Sequence, residues 1–346
     1  MVLFFLSSGL FLGWSLGAND AANIFGTAVG SRMIRFRTAA ILAGIFVTIG
    51  AVVSGAGASD TLGQLGSVNA FGGAFTVAFS AGLTVTWMTR LKLPVSTSQA
   101  IVGGIIGWNL FAGADTDWAV LQNIVLSWIG SPVIAAFFSA LIFLLFRIYL
   151  KRVNLHLLHV DMHTRIGLIL VGIFGAYSLG ANNIANVMGV FVSVSPIHAH
   201  DFGLVTLSGK EILFLVGGLA IAFGIISYSH RVMETVGGSL LKLTPTAAFV
   251  VVLSEALVLF LFSSVSLKQW LMAHGLPSLP LVPVSSSQLV VGAILGIGLV
   301  KGGHGIRWRV LGEIALGWLA TPLAAALLSF ILLFVMQNLF KVVVAQ

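Results

Sequence analysis

The sequence has no cysteine and few charged residues. Since none of the 346 residues is cysteine, disulfide bonds, thiolate catalysis and cysteine-ligated metal sites are excluded. Only 8% of the residues are charged, whereas a soluble domain carries about a quarter. Hydrophobic residues make up 58% of the chain, and the mean hydropathy is +1.08. These figures exclude an ordinary soluble domain and indicate a chain embedded in a membrane.

Long apolar segments follow one another along the whole chain. Several have roughly 20 residues, the length of a helix that crosses a bilayer. The first has no basic stretch before it and no obvious cleavage site, so we expect a retained helix and not a signal peptide. The sequence therefore predicts an all-α polytopic membrane protein. The approximate segments are 1–30, 38–58, 70–89, 94–112, 119–147, 164–195, 211–228, 246–265, 283–300 and 310–340.

Lysine and arginine lie mostly in alternate loops. Of the 17 basic residues, 14 fall in loops that follow an odd-numbered segment. The exceptions are Lys210, Lys268 and Lys341. Because basic loops stay in the cytoplasm, the pattern predicts a multi-pass protein of the cell (inner) membrane with both termini outside. The net charge of +7 has the same explanation, so we expect no nucleic-acid partner.

Two polar phrases occur twice, inside or beside apolar segments. The phrase Gly-Ala-Asn begins at Gly17 and again, 163 residues later, at Gly180. The phrase Pro-Val-Ser begins at Pro94 and again, 189 residues later, at Pro283. Because both phrases recur in the same order, the chain is predicted to consist of two related halves.

The two halves are predicted to have opposite orientations in the membrane. Each half contains five segments, an odd number, so the second half enters from the other side. Such an inverted repeat places broken or re-entrant helices around a central substrate site. We assign 1–150 to the first repeat, 151–164 to a polar cytoplasmic linker and 165–346 to the second repeat.

The Gly-Ala-Asn phrase places a carboxylate, Asp20, in the middle of an apolar segment. An ionisable group at that depth is costly and indicates a functional site. Gly17 and Gly26 bracket the phrase, and we expect the helix to unwind there. The carboxylate of Asp20 and the asparagine side chains of both phrases offer oxygen ligands that suit Na⁺. Asp20 is also able to carry a proton. Interhelical hydrogen bonding is the alternative role for each asparagine. The predicted cation ligands are Asp20, Asn19, Asn182, Asn183 and Glu255.

The Pro-Val-Ser phrase opens an apolar segment in each half. Proline suits the first helical turn, and serine or threonine caps the free N–H groups there. A helix N-terminus with neutral donors is also a site for an oxyanion. Capping alone explains one copy, but two copies that converge in an inverted repeat favour binding. The predicted oxyanion-binding residues are Ser96, Thr97, Ser98, Gln99, Ser285, Ser286, Ser287, Gln288, Asn23 and Asn186.

Other acidic residues give weaker signals. Glu255 and Glu313 lie within apolar segments, where each is a cation ligand, a proton carrier or a paired structural carboxylate. Asp60 and Glu234 lie near segment ends, which favours capping or loop contacts.

The duplicated motifs resemble those of the inorganic phosphate transporter (PiT) family, and the resemblance covers nearly the whole chain. It extends to 231–237, 243–245 and the tryptophan motifs at 128–132 and 318–322. The resemblance implies uptake of phosphate coupled to Na⁺ or H⁺, with both bound where the repeats meet, and a homodimer in the lipid membrane. One departure is Asn183, where the family usually carries aspartate.

We therefore expect a secondary active transporter that imports phosphate by symport and alternating access, with no cofactor beyond the coupling ion. Na⁺ is favoured over H⁺, because Asn183 does not titrate but still offers a carbonyl oxygen. Sulfate or another oxyanion is the alternative substrate, since related carriers share the fold. An anion channel is the alternative from another class, although a buried Asp20 would repel an anion. The sequence shows no nucleophile–base pair, so we expect no enzymatic activity.

Overall fold

The computed structural model describes residues 2–91, 95–152, 157–201, 203, 206–236, 244–303 and 306–346. The first half contains α1 (Val2–Gly30), α2 (Phe36–Ser54), α3 (Ala56–Leu65), α4 (Phe71–Arg90), α5 (Thr97–Ala112) and α6 (Trp118–Arg152). The second half contains α7 (Leu157–Met188), α8 (Gly209–Val236), α9 (Pro245–Ser263), α10 (Val265–Ala273), α11 (Ser286–Val300) and α12 (Trp308–Asn338). A 3-10 turn, Gly189–Phe191, follows α7. A short antiparallel pair, β1 (His200–Asp201) and β2 (Thr206–Leu207), precedes α8.

Each of the ten predicted segments corresponds to a helix. Eight of the described helices are long and apolar enough to cross a membrane, which confirms the multi-pass all-α fold. By contrast, α5 has 16 residues and α11 has 15. At about 1.5 Å per residue, these two helices are shorter than the roughly 30 Å hydrocarbon core. Neither helix is therefore long enough to cross this core by itself.

The expected unwinding at Gly17 and Gly26 is wrong. Both α1 and α7 run without a break through the Gly-Ala-Asn phrases, where the alanines are strong helix formers. The chain breaks elsewhere, at Gly55 between α2 and α3 and at Ser264 between α9 and α10. Broken helices are therefore part of this fold, but the broken helices are not those that carry the asparagines.

The predicted linker, 151–164, is largely helical. α6 continues to Arg152 and α7 begins at Leu157, while 153–156 lie outside the described residues. Asp161 and Arg165 form an exposed ion pair of 3.9 Å one turn apart on α7. The polar composition therefore marks helix ends that leave the apolar region, and not a long loop.

Helices of the two halves pack against each other in matched pairs. α1 packs on α8 as α7 packs on α2, and α5 packs on α12 as α11 packs on α6. A Cβ on Gly103 would overlap the carbonyl oxygen of Pro322, and a Cβ on Gly292 would overlap that of Pro132. The matched residues are 189 and 190 positions apart, as in the sequence repeat. The packing thus agrees with an inverted repeat, which stays a prediction.

Burial distinguishes an enclosed helix from two outer helices. In an apolar 18-residue stretch of α7, 72% of the residues are buried, against 17% in the corresponding stretch of α6 and 22% in that of α12. The outer faces carry exposed apolar side chains, such as Phe137 on α6 and Leu323 on α12. Such surfaces suit contact with lipid. The second Gly-Ala-Asn phrase, on α7, consequently lies in the interior.

Candidate functional site

The two serine-rich motifs begin α5 and α11 in the same way. The Ser96 hydroxyl accepts a hydrogen bond from the backbone N–H of Gln99 at 3.3 Å. In α11, the Ser285 hydroxyl accepts from the N–H of Gln288 at 3.4 Å. The predicted capping is therefore confirmed. Pro283 lies two residues before its N-cap and not in the first turn, and its counterpart lies outside the described residues.

The structure brings the two motifs into direct contact. The Ser98 hydroxyl donates to the carbonyl oxygen of Val284 at 3.0 Å. Its counterpart Ser287 donates to the carbonyl oxygen of Val95 at 3.3 Å. These reciprocal bonds place the N-termini of α5 and α11 beside each other in the protein interior. They also use hydroxyl groups that the sequence had suggested as free donors for an anion.

Each asparagine phrase contacts the serine motif of the opposite half. Asn23, on α1, donates to the Ser286 hydroxyl at 3.1 Å. Asn186, on α7, donates to the Ser98 hydroxyl at 2.9 Å. The predicted cation and phosphate residues therefore form one cluster, built from segments of both halves.

Asn182 has a structural role in this cluster. Its amide nitrogen donates to the carbonyl oxygen of Val282 at 3.1 Å, and its oxygen accepts from the N–H of Val284 at 3.0 Å. The side chain is completely buried. Both ends of the amide thus hold the extended segment that leads into α11. The sequence predicted Asn182 as a cation ligand, but its amide oxygen already bonds to the backbone.

A chain of bonds fixes the orientation of Asn186. The Asn183 nitrogen donates to the Leu179 carbonyl at 3.2 Å, which turns the Asn183 oxygen toward Asn186. The Asn186 nitrogen donates to that oxygen at 2.9 Å and also to Ser98. Because a backbone carbonyl only accepts, this chain determines which end of each amide faces which partner. The Asn186 oxygen is left buried and, within the part of the chain that the structure describes, without a hydrogen-bond partner.

Two acidic side chains complete the cluster. Asp20 is 3% exposed and accepts a hydrogen bond of 2.9 Å from Asn19. Glu255, on α9, is 0% exposed, and neither of its carboxylate oxygens has a hydrogen-bond partner among the described residues. α9 packs against α1, α7 and α11, which carry other residues of the cluster. The alternative of a paired structural carboxylate is therefore wrong for Glu255.

Most of the unpaired polar atoms in the cluster are acceptors. The unpaired side-chain oxygens belong to Thr97, Gln99, Asn186, Glu255 and Gln288. Among them, only the threonine hydroxyl is able to donate. Hard cations such as Na⁺ bind oxygen ligands of this kind. The unpaired oxygens of Glu255 and Asn186 therefore suit a cation.

The other acidic candidates lie outside this cluster. Glu313 is exposed and pairs with Arg309 at 3.2 Å, so it is a structural partner and not a buried ligand. Asp60, inside α3, forms an ion pair with Lys210 in the first turn of α8, so it joins two helices and does not make the expected cap or loop contact. The side chain of Glu234 lies outside the described residues.

Cavities approach the cluster along two helices. A cavity of about 320 Å³ is lined by Ser59, Gln64 and Gly189, just beyond the end of α7 that carries Asn186. A smaller one of about 50 Å³ lies between α1 and α4 and is lined by Asn19 and Arg90. The first cavity is on the side predicted to face outward, and the second is on the side of the basic loops.

The chain is similar to known transport proteins over nearly its whole length. The model of the phosphate transporter family matches residues 16–329. A relative in Methanocaldococcus jannaschii is 29% identical, covering 92% of both chains, and one in Pyrococcus abyssi is 27% identical, covering 96% of both. Both are provisionally named phosphate permeases. A solved structure described as a sodium-dependent phosphate transporter is 25% identical, covers 97% of this chain and 98% of its own, and has a TM-score of 0.77.

Proposed function

Because the chain belongs to the phosphate transporter family, we propose that it imports inorganic phosphate across the cell membrane together with Na⁺. The observation that carries this proposal is the charge of the central cluster. Its buried ionisable side chains are the acids Asp20 and Glu255, and no lysine or arginine is buried among the residues whose burial is described. An unpaired buried charge is strongly unfavourable, so phosphate enters this centre only if cations enter with it.

The sodium ions bind between the two acids and the neighbouring amides. Glu255 offers two unpaired oxygens, and Asn186 offers one whose orientation is fixed. Asp20 keeps acceptor capacity beside its bond to Asn19. Together, these oxygens are enough to surround a cation. Asn183, the residue that departs from the usual aspartate, contributes by orienting Asn186.

Phosphate binds at the N-termini of α5 and α11. Two helix N-termini that meet in the interior present backbone N–H groups and positive dipole ends to an oxyanion. Thr97 adds an unpaired hydroxyl, and Gln99 and Gln288 add amides. The long capping bonds of 3.3 and 3.4 Å are readily exchanged for bonds to phosphate. Bound Na⁺ then lies between the phosphate and the carboxylates.

Transport proceeds by alternating access between two inverted repeats, 1–150 and 165–346. The matched packing at Gly103 and Gly292 and the reciprocal bonds of Ser98 and Ser287 support this organisation. In this scheme the two cavities on opposite sides of the cluster open in turn. The basic loops lie in the cytoplasm, both termini lie outside, and the transporter is a homodimer in the membrane.

Proton coupling and sulfate transport are the closest alternatives. A buried carboxyl group such as Glu255 is able to carry a proton, but the unpaired amide oxygen of Asn186 in the same cluster favours a metal cation. Sulfate shares the charge and shape of phosphate, so it competes for the same helix N-termini. An anion channel is disfavoured, since a pore lined by two acids would exclude its own anion.

The proposal is tested with purified protein in liposomes. Radiolabelled phosphate should accumulate under an imposed Na⁺ gradient and should not accumulate under a proton gradient alone. Unlabelled phosphate on the opposite side should accelerate exchange, which a channel does not show. Accumulation that follows the proton gradient and ignores Na⁺ would overturn the sodium assignment, and preferential uptake of sulfate would overturn the substrate.

A further inference from the structure

Two tryptophans on the outer helices have buried indole N–H groups without a hydrogen-bond partner. Trp128 lies on α6 and Trp318 lies on α12, 190 residues later. A buried indole N–H normally finds an acceptor, because leaving it unpaired costs free energy. In the described residues, each of the two nitrogens lacks one. Two equivalent unpaired donors are therefore a property of the fold and need an explanation.

Helix register places each tryptophan beside a glutamine of the phosphate motif. α5 and α12 run in parallel, because Gly103 contacts Pro322 and, one turn further along both helices, Gly107 contacts Ala326. One turn earlier in the same register, Gln99 stands level with Trp318. The side-chain oxygen of Gln99 is also buried and unpaired.

The second half repeats this arrangement on α11 and α6. Gly292 contacts Pro132 and Gly296 contacts Ala136, so these helices are parallel too. The same step back by one turn brings Gln288 level with Trp128. The Gln288 oxygen is again buried and unpaired. In both halves an unpaired donor thus stands level with an unpaired acceptor.

We propose that Trp318 and Trp128 are positioning residues for the phosphate site. Each indole N–H donates to the carbonyl oxygen of its glutamine, Gln99 or Gln288, directly or through one water molecule. Because an indole N–H only donates, it selects the amide orientation in which the oxygen faces the tryptophan and the NH₂ group faces the bound anion. This inference rests on the proposed phosphate transport.

The pairing resolves the shortage of donors in the cluster. The hydroxyls of Ser98 and Ser287 are used in bonds to backbone carbonyls. Two glutamine amides held in one orientation supply four N–H bonds without adding charge. A free amide would instead be able to turn its oxygen toward the site, where the oxygen would repel the anion. The tryptophans act on phosphate through the glutamines and do not touch it themselves.

A double-mutant cycle on phosphate uptake tests the proposal. Trp318→Phe keeps the ring but removes the N–H, and Gln99→Ala removes the amide. In liposomes with a Na⁺ gradient, each change should raise the KM for phosphate about tenfold with little effect on kcat. The double variant should resemble Gln99→Ala alone, because the indole has nothing left to orient.

Two controls separate positioning from a general effect on folding. Trp108→Phe, on the same helix as Gln99, removes a buried indole N–H that bonds to the Val344 carbonyl at 2.8 Å. It should leave the KM unchanged even if thermal stability falls. The second control combines Trp318→Phe with Gln288→Ala. The two residues belong to different pairs, so their effects on the KM should multiply to about a hundredfold.

The outcomes distinguish this inference from the proposed function. An unchanged KM in Trp318→Phe, or effects of Trp318→Phe and Gln99→Ala that multiply, would overturn the positioning role while wild-type uptake remains. The pair Trp128→Phe and Gln288→Ala repeats the test if a variant of the first pair does not fold. Absence of phosphate uptake by the folded wild-type protein would instead reject the proposed function.

Discussion

Asn186, on α7, donates a hydrogen bond of 2.9 Å to Ser98, at the start of α5. The two residues come from the two duplicated phrases and are 88 positions apart in the chain. Ser98 in turn donates to the Val284 carbonyl at 3.0 Å, so its hydroxyl both accepts and donates within the protein. Adjacent residues of one motif therefore have different roles. Ser98 joins three segments, whereas the neighbouring Thr97 hydroxyl has no hydrogen-bond partner in the described residues.

This difference predicts opposite effects of two conservative substitutions. Thr97→Val removes an unpaired hydroxyl and should leave thermal stability unchanged or higher, while phosphate affinity falls about tenfold. Ser98→Ala leaves the amide of Asn186 and the Val284 carbonyl with fewer partners and should destabilise the protein by about 1–3 kcal/mol. Thermal unfolding and phosphate calorimetry on both variants provide the check. Equal stability of the two variants would contradict the assigned roles.

Asp20→Asn should abolish or severely weaken the binding of both Na⁺ and phosphate. The substitution preserves size but removes one of the two buried negative charges that require cations. Since phosphate binds through the cation, both affinities fall together. Calorimetric phosphate titrations at a series of sodium concentrations and fixed pH measure this linkage. If the variant still binds phosphate with wild-type affinity and wild-type sodium dependence, Asp20 is not part of the site.

Glu255→Gln should raise the stability of the sodium-free protein and reduce its stabilisation by Na⁺. A buried carboxylate without hydrogen-bond partners is unfavourable, so removing its charge should gain about 1–3 kcal/mol. A ligand stabilises only the state that binds it, so loss of sodium binding lowers the shift in Tm that added Na⁺ produces. Glu313→Gln is the matched control, because Glu313 is exposed and paired with Arg309. An identical response of both variants to Na⁺ would refute the assignment.

Asn182→Ala should destabilise the protein without a specific effect on sodium dependence. The change leaves the Val282 carbonyl and the Val284 N–H unpaired in the interior, at a cost of about 1–3 kcal/mol for each. Asn338→Ala is the control, since that amide bonds to the Phe334 carbonyl at an exposed helix end. Thermal unfolding measures the difference. A stable Asn182→Ala variant with altered sodium affinity would show that Asn182 is a ligand, as the sequence had suggested.

Several features were predictable from sequence because they depend on local composition. The ten apolar segments, the capping serines Ser96 and Ser285, and the burial of Asp20 and Glu255 all agree with the structure. One prediction failed. The glycines suggested unwinding at Gly17, but alanine-rich neighbours keep α1 helical there.

The sequence alone determined that this is a multi-pass membrane protein with two duplicated polar motifs, because hydropathy and repetition are read along the chain. Only the tertiary structure decided how each polar side chain is used, because its partners come from distant segments. Asn182 and Asn183 are adjacent and chemically identical, yet helix geometry turns them about 100° apart. Asn182 consequently meets the backbone at Val282, 100 residues away, while Asn183 orients Asn186 on its own helix. Likewise, the packing around each carboxylate decides its environment. Among the described residues, Glu255 is buried without hydrogen-bond partners, whereas Glu313 is paired with Arg309. No local pattern in the sequence records this difference.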